Sequence, residues 1–378
     1  MREEILDPQV KKRFYIKNLL KIIRLTRSNR EKVLNFIEDT HHLDEPMLDL
    51  FEGTGGPMEE GMIYLLFDSK NGSKNPNDYD SVFRIFWILG PDLTYHQIDS
   101  FLLSTNPNLP SKQWRRFSET NFFKNLSKEK FHQEMSEKEL EFTFDGTWEQ
   151  GYSFRFSDNI IGLSGDLTYN PISPKGTLLY YNGREAVAPQ LLQKFYDSFA
   201  IEVSGKLQVD NREIDLDGGR GIIEHGLGIF GIENIYEWRW LDLQGDNCSI
   251  HIFYHPLTLQ DGSDIIDAGE GAALIDNQWY HFLIDDFVIE ELEYEPDDNI
   301  PTKIPNLWNF RAGFNSLGTE NQIDLRIEKL KHHSWFGEAS GTTRHFTTNY
   351  FLQFQGQFKG EELKGRGTME YLFERVIE

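Results

Sequence analysis

The apolar positions of this chain change their period near residue 45. Before it, Phe14, Leu19, Leu20, Ile22, Ile23 and Leu25, then Val33, Leu34, Phe36 and Ile37, recur at helical spacing. Lys11, Lys12, Arg13, Lys17, Lys21, Arg24, Arg27 and Arg30 fill the intervening positions, which predicts an amphipathic helix with a basic face. After residue 45 the pattern alternates. MIYLLF (62–67), SVFRIFWIL (81–89), LEFTFDG (140–146), YSFRFS (152–157), FAIEVSGKLQV (199–209), YEWRWLDL (236–243), SIHIFYH (249–255), IDLRIEKLKHH (323–333) and YFLQFQGQF (350–358) are rich in aromatic and β-branched residues. Asn-Gly, Asp-Gly, Gly-Gly and proline turns punctuate them, as they do antiparallel strands. Only 188–197 and 111–125 read as inserted helical turns. The expected fold is mostly β, in antiparallel barrels or sandwiches, behind an N-terminal helix.

An internal echo divides the β region. Gly219-Arg220-Gly221-Ile222-Ile223-Glu224-His225 and Gly365-Arg366-Gly367-Thr368-Met369-Glu370-Tyr371 share the pattern Gly-Arg-Gly-x-x-Glu-aromatic, each after a strand, a charged turn and a return strand. Two copies of a hairpin suggest two similar sheets. The expected division is a basic helical segment over 1–45 and two β-domains over 46–195 and 196–378.

Charge and cysteine content narrow the partners. Of 378 residues, 38 are Lys or Arg and 61 Asp or Glu, a formal net charge of −23. The first 32 residues carry ten basic and four acidic side chains, net +6, leaving 28 basic and 57 acidic residues, net −29, for the rest. So acidic a body argues against nucleic acid as a partner. The basic helix over 1–40 can lie on an anionic membrane, or dock on the acidic body of its own chain or of a second copy as a homodimer. No apolar run is long enough for a transmembrane helix, and the first residues carry charge where a signal peptide needs its apolar core. With Cys248 the only cysteine, no intrachain disulfide forms and the reducing cytoplasm is the expected compartment.

Several residues then carry a resemblance. The stretch from Phe195-Tyr196-Asp197-Ser198 to Gly228, the acid–His pair Glu224-His225, the strand Trp238-Arg239-Trp240, the closing Gly365 to Glu370 and the earlier SGDLTYNPISPKG (164–176) resemble the lipocalin-like family of carotenoid 1,2-hydratases (hydroxyneurosporene synthases). That family's relatives include AttH-like proteins, tocopherol cyclases and fungal Diels–Alderases. Glu224 stands where relatives usually have Asp, and Leu227 where a Trp is expected before the closing Gly. The resemblance implies two lipocalin-like β-domains side by side, with a lipophilic substrate near their junction. It also implies hydration, cyclisation or rearrangement of isoprenoids and polyenes without any cofactor.

Such chemistry, begun by a proton added to an alkene, needs a carboxylic acid in an apolar pocket and aromatic faces beside the developing cation. Glu224 is the candidate acid, with His225 or Tyr254 to orient water or take the proton back. Tyr236, Trp238 and Trp240 alternate onto one strand face as the candidate substrate wall, joined by His251 and Phe253 on the next strand. Period 2 puts Arg220, Ile222 and Glu224 on one face and Gly221, Ile223 and His225 on the other, so only one of Glu224 and His225 points into a given cavity, unless Gly226–Gly228 bulges. The structural alternatives are an ion pair of Glu224 with Arg220 or Arg239, and a plain core for the aromatic stripe. A metal is not expected, because His41-His42, His251, His255 and His332-His333 lack zinc spacing. No dinucleotide fingerprint, phosphate loop or nucleophile elbow is complete. The expected function is a cofactor-independent enzyme; a carrier of lipophilic ligands, or a pericyclase relying on pocket shape, is the alternative.

Overall fold

The computed structural model describes residues 58–376, apart from 71, 90–95, 119–122, 125–130, 137–139, 148–149, 173–176, 182–192, 229–236, 259–264, 284–285, 315, 319–320 and 341–342. The expected helix over 1–45 lies outside the described residues. Within them there are 22 strands, one 3-10 turn at Pro76–Asp78 and no α-helix, and no helix long and apolar enough to cross a membrane.

Two antiparallel sheets follow one plan. In the first, β1 (Met58–Phe67), β2 (Ser81–Leu89), β3 (His96–Ser104) and β4 (Lys112–Ser118) form a meander. A second run comprises β5 (Phe123–Lys124), β6 (Phe131–Ser136), β7 (Leu140–Thr147), β8 (Gly151–Asp158) and β9 (Leu163–Pro171). It continues through β11 (Gln193–Val209), to which the short β10 (Thr177–Tyr181) and β12 (Arg212–Asp215) are added. The last strand, β13 (Gly219–Gly228), lies between β11 and β1. The second sheet repeats this. β14 (Glu237–Gly245), β15 (Cys248–Thr258), β16 (Ile265–Ile275) and β17 (Gln278–Leu283) form the meander. β18 (Phe287–Pro296), β19 (Lys303–Ala312), β20 (Ile323–Ser340) and β21 (Thr343–Phe358) follow, and β22 (Glu361–Val376) returns between β21 and β14.

The strands at the centre of the molecule are buried on both faces. On β1, Ile63, Leu65 and Phe67 enter the core of the first sheet with Phe83, Ile85 and Trp87. Met62, Tyr64 and Leu66 point the other way, into a cluster with Phe101, Ile222, Trp240, Phe253 and Phe351 that joins the two sheets. Leu241, Leu243, Ile250 and Ile252 fill the separate core of the second sheet with Trp308 and Phe310. Near-continuous runs such as MIYLLF therefore have a structural reason: one parity serves a core, the other serves the junction. Each fully buried Leu or Phe contributes about 1.5–3 kcal/mol.

The Gly-Arg-Gly echo is explained by strand crowding. A Cβ on Gly221 would meet Val203 Cγ2 at 2.5 Å and the Tyr169 ring at 2.7 Å; one on Gly367 would meet the Asp242 carbonyl oxygen at 2.4 Å. Both glycines sit on the returning strand where it is wedged between two neighbours.

Three expectations from the sequence are corrected. Residues 112–118 form a strand, not a helix, because they pair with β3 from Leu102↔Lys112 to His96↔Ser118, and tertiary pairing overrides local propensity. The helical reading of 188–197 fails likewise where it is described, since Gln193 onward pairs with β13. The boundary expected at 195/196 falls inside β11, which hydrogen-bonds to β9 and β13 of the first sheet. The change of sheet comes between Gly228 and Glu237, after the first copy of the echo rather than before it.

Candidate active site

The junction holds one fully buried charge that the apolar strand β2 delivers. Arg84 interrupts SVFRIFWIL and is only 2% exposed. An unpaired charge there would be costly, and the guanidinium is accordingly surrounded. Nη1 pairs with Glu370 of the second sheet and donates to Asn349 Oδ1 (2.9 Å) and Tyr64 Oη (3.2 Å). Nη2 lies 3.6 Å from Asp99. The Arg84 carbon lies 5.2–5.9 Å from the centroids of Tyr64, Phe86, Phe101 and Trp335, within cation–π range. Burial works against this charge, yet Tyr64, Glu370 and Asp99 together hold its pKa above that of an ordinary arginine.

Tyr64 and Asn349 complete the polar group. Tyr64 Oη donates to Asn349 Oδ1 (3.3 Å), so the amide oxygen accepts from both Arg84 and Tyr64 and the amide orientation is set. Burial pushes the Tyr64 phenol well above its usual pKa, with Arg84 pulling it down and the Glu370 and Glu224 carboxylates pushing it up. Tyr64 is therefore a neutral hydrogen-bond donor at any physiological pH. Glu370, paired with Arg84, also accepts from Trp238 Nε1 (3.0 Å).

An aromatic wall continues from this group. Tyr64 stacks on Trp240 at 4.7 Å, Trp240 meets His251 edge-on at 4.8 Å, and His251 stacks on Phe199 at 5.3 Å. Phe199 reaches this position through a bulge. The register with β13 slips between Ser198↔Ile223 and Ile201↔Gly221, so that Phe199 and Ala200 together oppose Ile222, and Ala200 takes a left-handed φ of 56°. Both side chains thereby enter the junction, a redirection typical of bulges beside functional sites. His251 Nδ1 lies 3.7 Å from Asp242 Oδ1 on the neighbouring strand, both side chains being fully buried.

The residues singled out from the sequence divide by face. Glu224 lies on the face of β13 that carries Ile222 into the junction, is buried, and its charge acts on Tyr64. The register of β13 with β1 is unbroken from Arg220 to Gly228, so the bulge considered for Gly226–Gly228 does not form there. Of the two arginines considered for Glu224, Arg220 pairs with Glu202 at 3.1 Å and Arg239 with Glu291 in the second sheet. Trp240, His251 and Phe253 are in the junction, and Trp238 is joined to it through Glu370. Tyr254 is not. It sits on the opposite face of β15, packed against the second core with the Arg239 guanidinium 5.3 Å from its ring, because strand alternation separates it from His251 and Phe253. The His225 side chain and Tyr236 lie outside the described residues.

Tyr64, Arg84, Asp99, Phe199 and Asn349 were not singled out. For Arg84 and Asp99 a signal existed, since a lone charge inside an apolar strand must find a buried partner. For Tyr64 and Asn349 none did.

No protein-family model and no curated protein sequence matches the chain. Solved structures do. An AttH-like protein from Nitrosomonas europaea matches at 12% identity with a TM-score of 0.57, covering 86% of this chain and 95% of that one. CghA, solved with Sch210972, matches at 11% identity and TM-score 0.58, over 86% of this chain and 89% of its own. Kievitone hydratase from Nectria haematococca matches at 12% identity and TM-score 0.57, over 87% of this chain and 90% of its own. The chain shares their fold. These neighbours belong to the lipocalin-like carotenoid hydratase/AttH family, the one that its strand motifs resemble, and the likeness runs through both sheets.

Proposed function

We propose that the protein is an enzyme of the hydratase or cyclase type. It acts without a cofactor on a hydrophobic polyene or isoprenoid-like substrate held at the junction of the two sheets. The observation that carries this reading is the composition of the junction. A buried carboxyl group, that of Glu224, shares one apolar, aromatic interface with Tyr64, Trp240 and His251. Glu224 supplies the proton to an alkene carbon, the indole and phenol faces stabilise the cation formed, and exclusion of bulk water decides between hydration and ring closure. The neighbours with this fold include a hydratase and CghA, a Diels–Alderase, which supports an enzyme of this kind.

A pericyclase is the second reading. It is favoured by the fact that Arg84 already bonds both Glu370 and Tyr64, which holds the guanidinium and phenol as preorganised donors suited to polarising a substrate without proton transfer.

Mass spectrometry of an organic extract of the purified protein, beside a Trp238→Ala/Trp240→Ala control, tests the site. A stoichiometric lipophile lost in the control supports it, and returning that compound to wild-type protein separates turnover from carriage. A lipophile retained equally by the control places binding elsewhere.

A further inference from the structure

The proposal above names a hydrocarbon-like substrate but leaves open whether it carries oxygen. Asn349 bears on that. Its side chain is fully buried, and its Oδ1 faces two donors, Arg84 Nη1 and Tyr64 Oη. The amide therefore cannot be turned round without facing donors with a donor. Its Nδ2, equally buried, has no acceptor among the described residues, and neither has Arg84 Nε. A buried N–H without an acceptor is a standing cost that any incoming oxygen relieves.

The local charge selects which oxygen. Arg84 is the cation of this cluster, and it is already matched by Glu370 and Asp99. A third anion placed against this set is repelled at short range in a low dielectric. A neutral oxygen is not. Aromatic faces of Tyr64, Phe86, Phe101 and Trp335 lie around the same guanidinium, so the rest of such a molecule meets apolar surface.

We propose that Asn349 is a substrate-recognition residue, and that the junction takes an uncharged, carbonyl-bearing lipophile whose carbonyl oxygen accepts from Asn349 Nδ2. This rests on the junction being the binding site. Polarising that carbonyl withdraws electron density from a conjugated alkene, so the same contact ties recognition to reactivity at the neighbouring carbons.

Matched probes test it by calorimetric titration of the full chain: benzophenone against 1,1-diphenylethylene, and acetophenone against α-methylstyrene. In each pair a carbonyl oxygen replaces a methylene group of similar size. The expected result is roughly ten-fold tighter binding of the ketone than of its alkene, the scale of one buried hydrogen bond. The preference should disappear in Asn349→Leu and in Asn349→Asp. The second variant keeps the shape, so a folding defect in the first does not remove the test. Diphenylacetate is expected to bind more weakly than benzophenone. If ketone and alkene bind equally, or the preference survives both variants, carbonyl recognition by Asn349 is overturned while the junction site stands, provided Trp240→Ala abolishes binding of both probes. If no probe binds, or Trp240→Ala leaves binding unchanged, the junction reading falls and this proposal with it.

Discussion

Glu224 and Glu370 occupy the same place in two copies of one strand arrangement. Glu224 on β13 stands opposite Met62 on β1, with Gly221 opposite Leu65; Glu370 on β22 stands opposite Trp240 on β14, with Gly367 opposite Leu243. One strand further out, Arg84 opposes Tyr64 and, in the matching position, His251 opposes Asp242. The two halves are thus alike in backbone and different in chemistry. One contributes an arginine–tyrosine pair to the junction, the other a histidine–aspartate pair. Equivalent strand positions do not make the two glutamates equivalent groups, because Arg84 reaches across the junction to pair with Glu370.

Glu224 is the residue on which the proton-transfer reading turns. Glu224→Gln preserves size and hydrogen bonding while removing the proton source. On a substrate found by extraction, turnover is expected to fall about 10²–10⁴-fold with binding retained. Steady-state kinetics beside a binding titration measures both, and unchanged turnover would leave Glu224 a structural residue.

Arg84 is expected to dominate the stability of the junction. Arg84→Met leaves Glu370 and Asp99 facing each other's surroundings without their cation, at a cost of about 3–5 kcal/mol. Urea unfolding followed by tryptophan fluorescence reads this, and adding Glu370→Gln should recover part of the loss. A loss below about 1 kcal/mol would put the cluster in the class of solvent-screened surface pairs.

Gly367→Ala tests the crowding of the returning strand. The new methyl group meets the Asp242 carbonyl oxygen at 2.4 Å, a backbone atom that cannot swing aside, so a loss of about 1–3 kcal/mol is expected. An unchanged thermal midpoint would show that β22 and β14 have room to separate.

His332 gives the second unit a dependence on pH. Its Nδ1 faces the Lys329 ammonium at 3.2 Å, while Nε2 lies 3.1 Å from Asp297 Oδ2. Burial and then Lys329 lower its pKa, with Asp297 opposing them. A histidine whose folded pKa lies below its unfolded value takes up protons preferentially on unfolding. Its contribution is therefore complete above the unfolded pKa, near 6.5, and declines as pH falls toward the folded value. Unfolding free energies measured across this window should slope for the wild type and flatten in His332→Gln.

Cys248 should be inert in the folded protein. It is buried beneath the β14–β15 turn, and burial pushes its thiol up to about 12, so thiolate is scarce at neutral pH. Labelling by Ellman's reagent is expected only at the rate of unfolding, and fast stoichiometric labelling of native protein would contradict the packing described.

Much of the architecture was legible along the chain. Alternation and turn chemistry are local properties, and they sufficed for a mostly β protein in two similar halves, because each strand must sort its side chains to two faces whatever it pairs with. Parity also separated Glu224 from His225 before any pairing was known. Which face meets which neighbour was not legible. Arg84 to Glu370 spans 286 positions and Tyr64 to Asn349 spans 285, and no local pattern encodes such a meeting. The same limit explains the misplaced boundary at 195/196: β11 is a good strand in either sheet, and only its hydrogen bonds to β9 and β13 assign it to the first. Residue type and spacing by themselves determined many of the strands, their two faces and the echo between the halves. The tertiary structure alone decided that the outer faces of two separately built sheets meet, since a buried charge is tolerable only where distant strands bring its partners within reach.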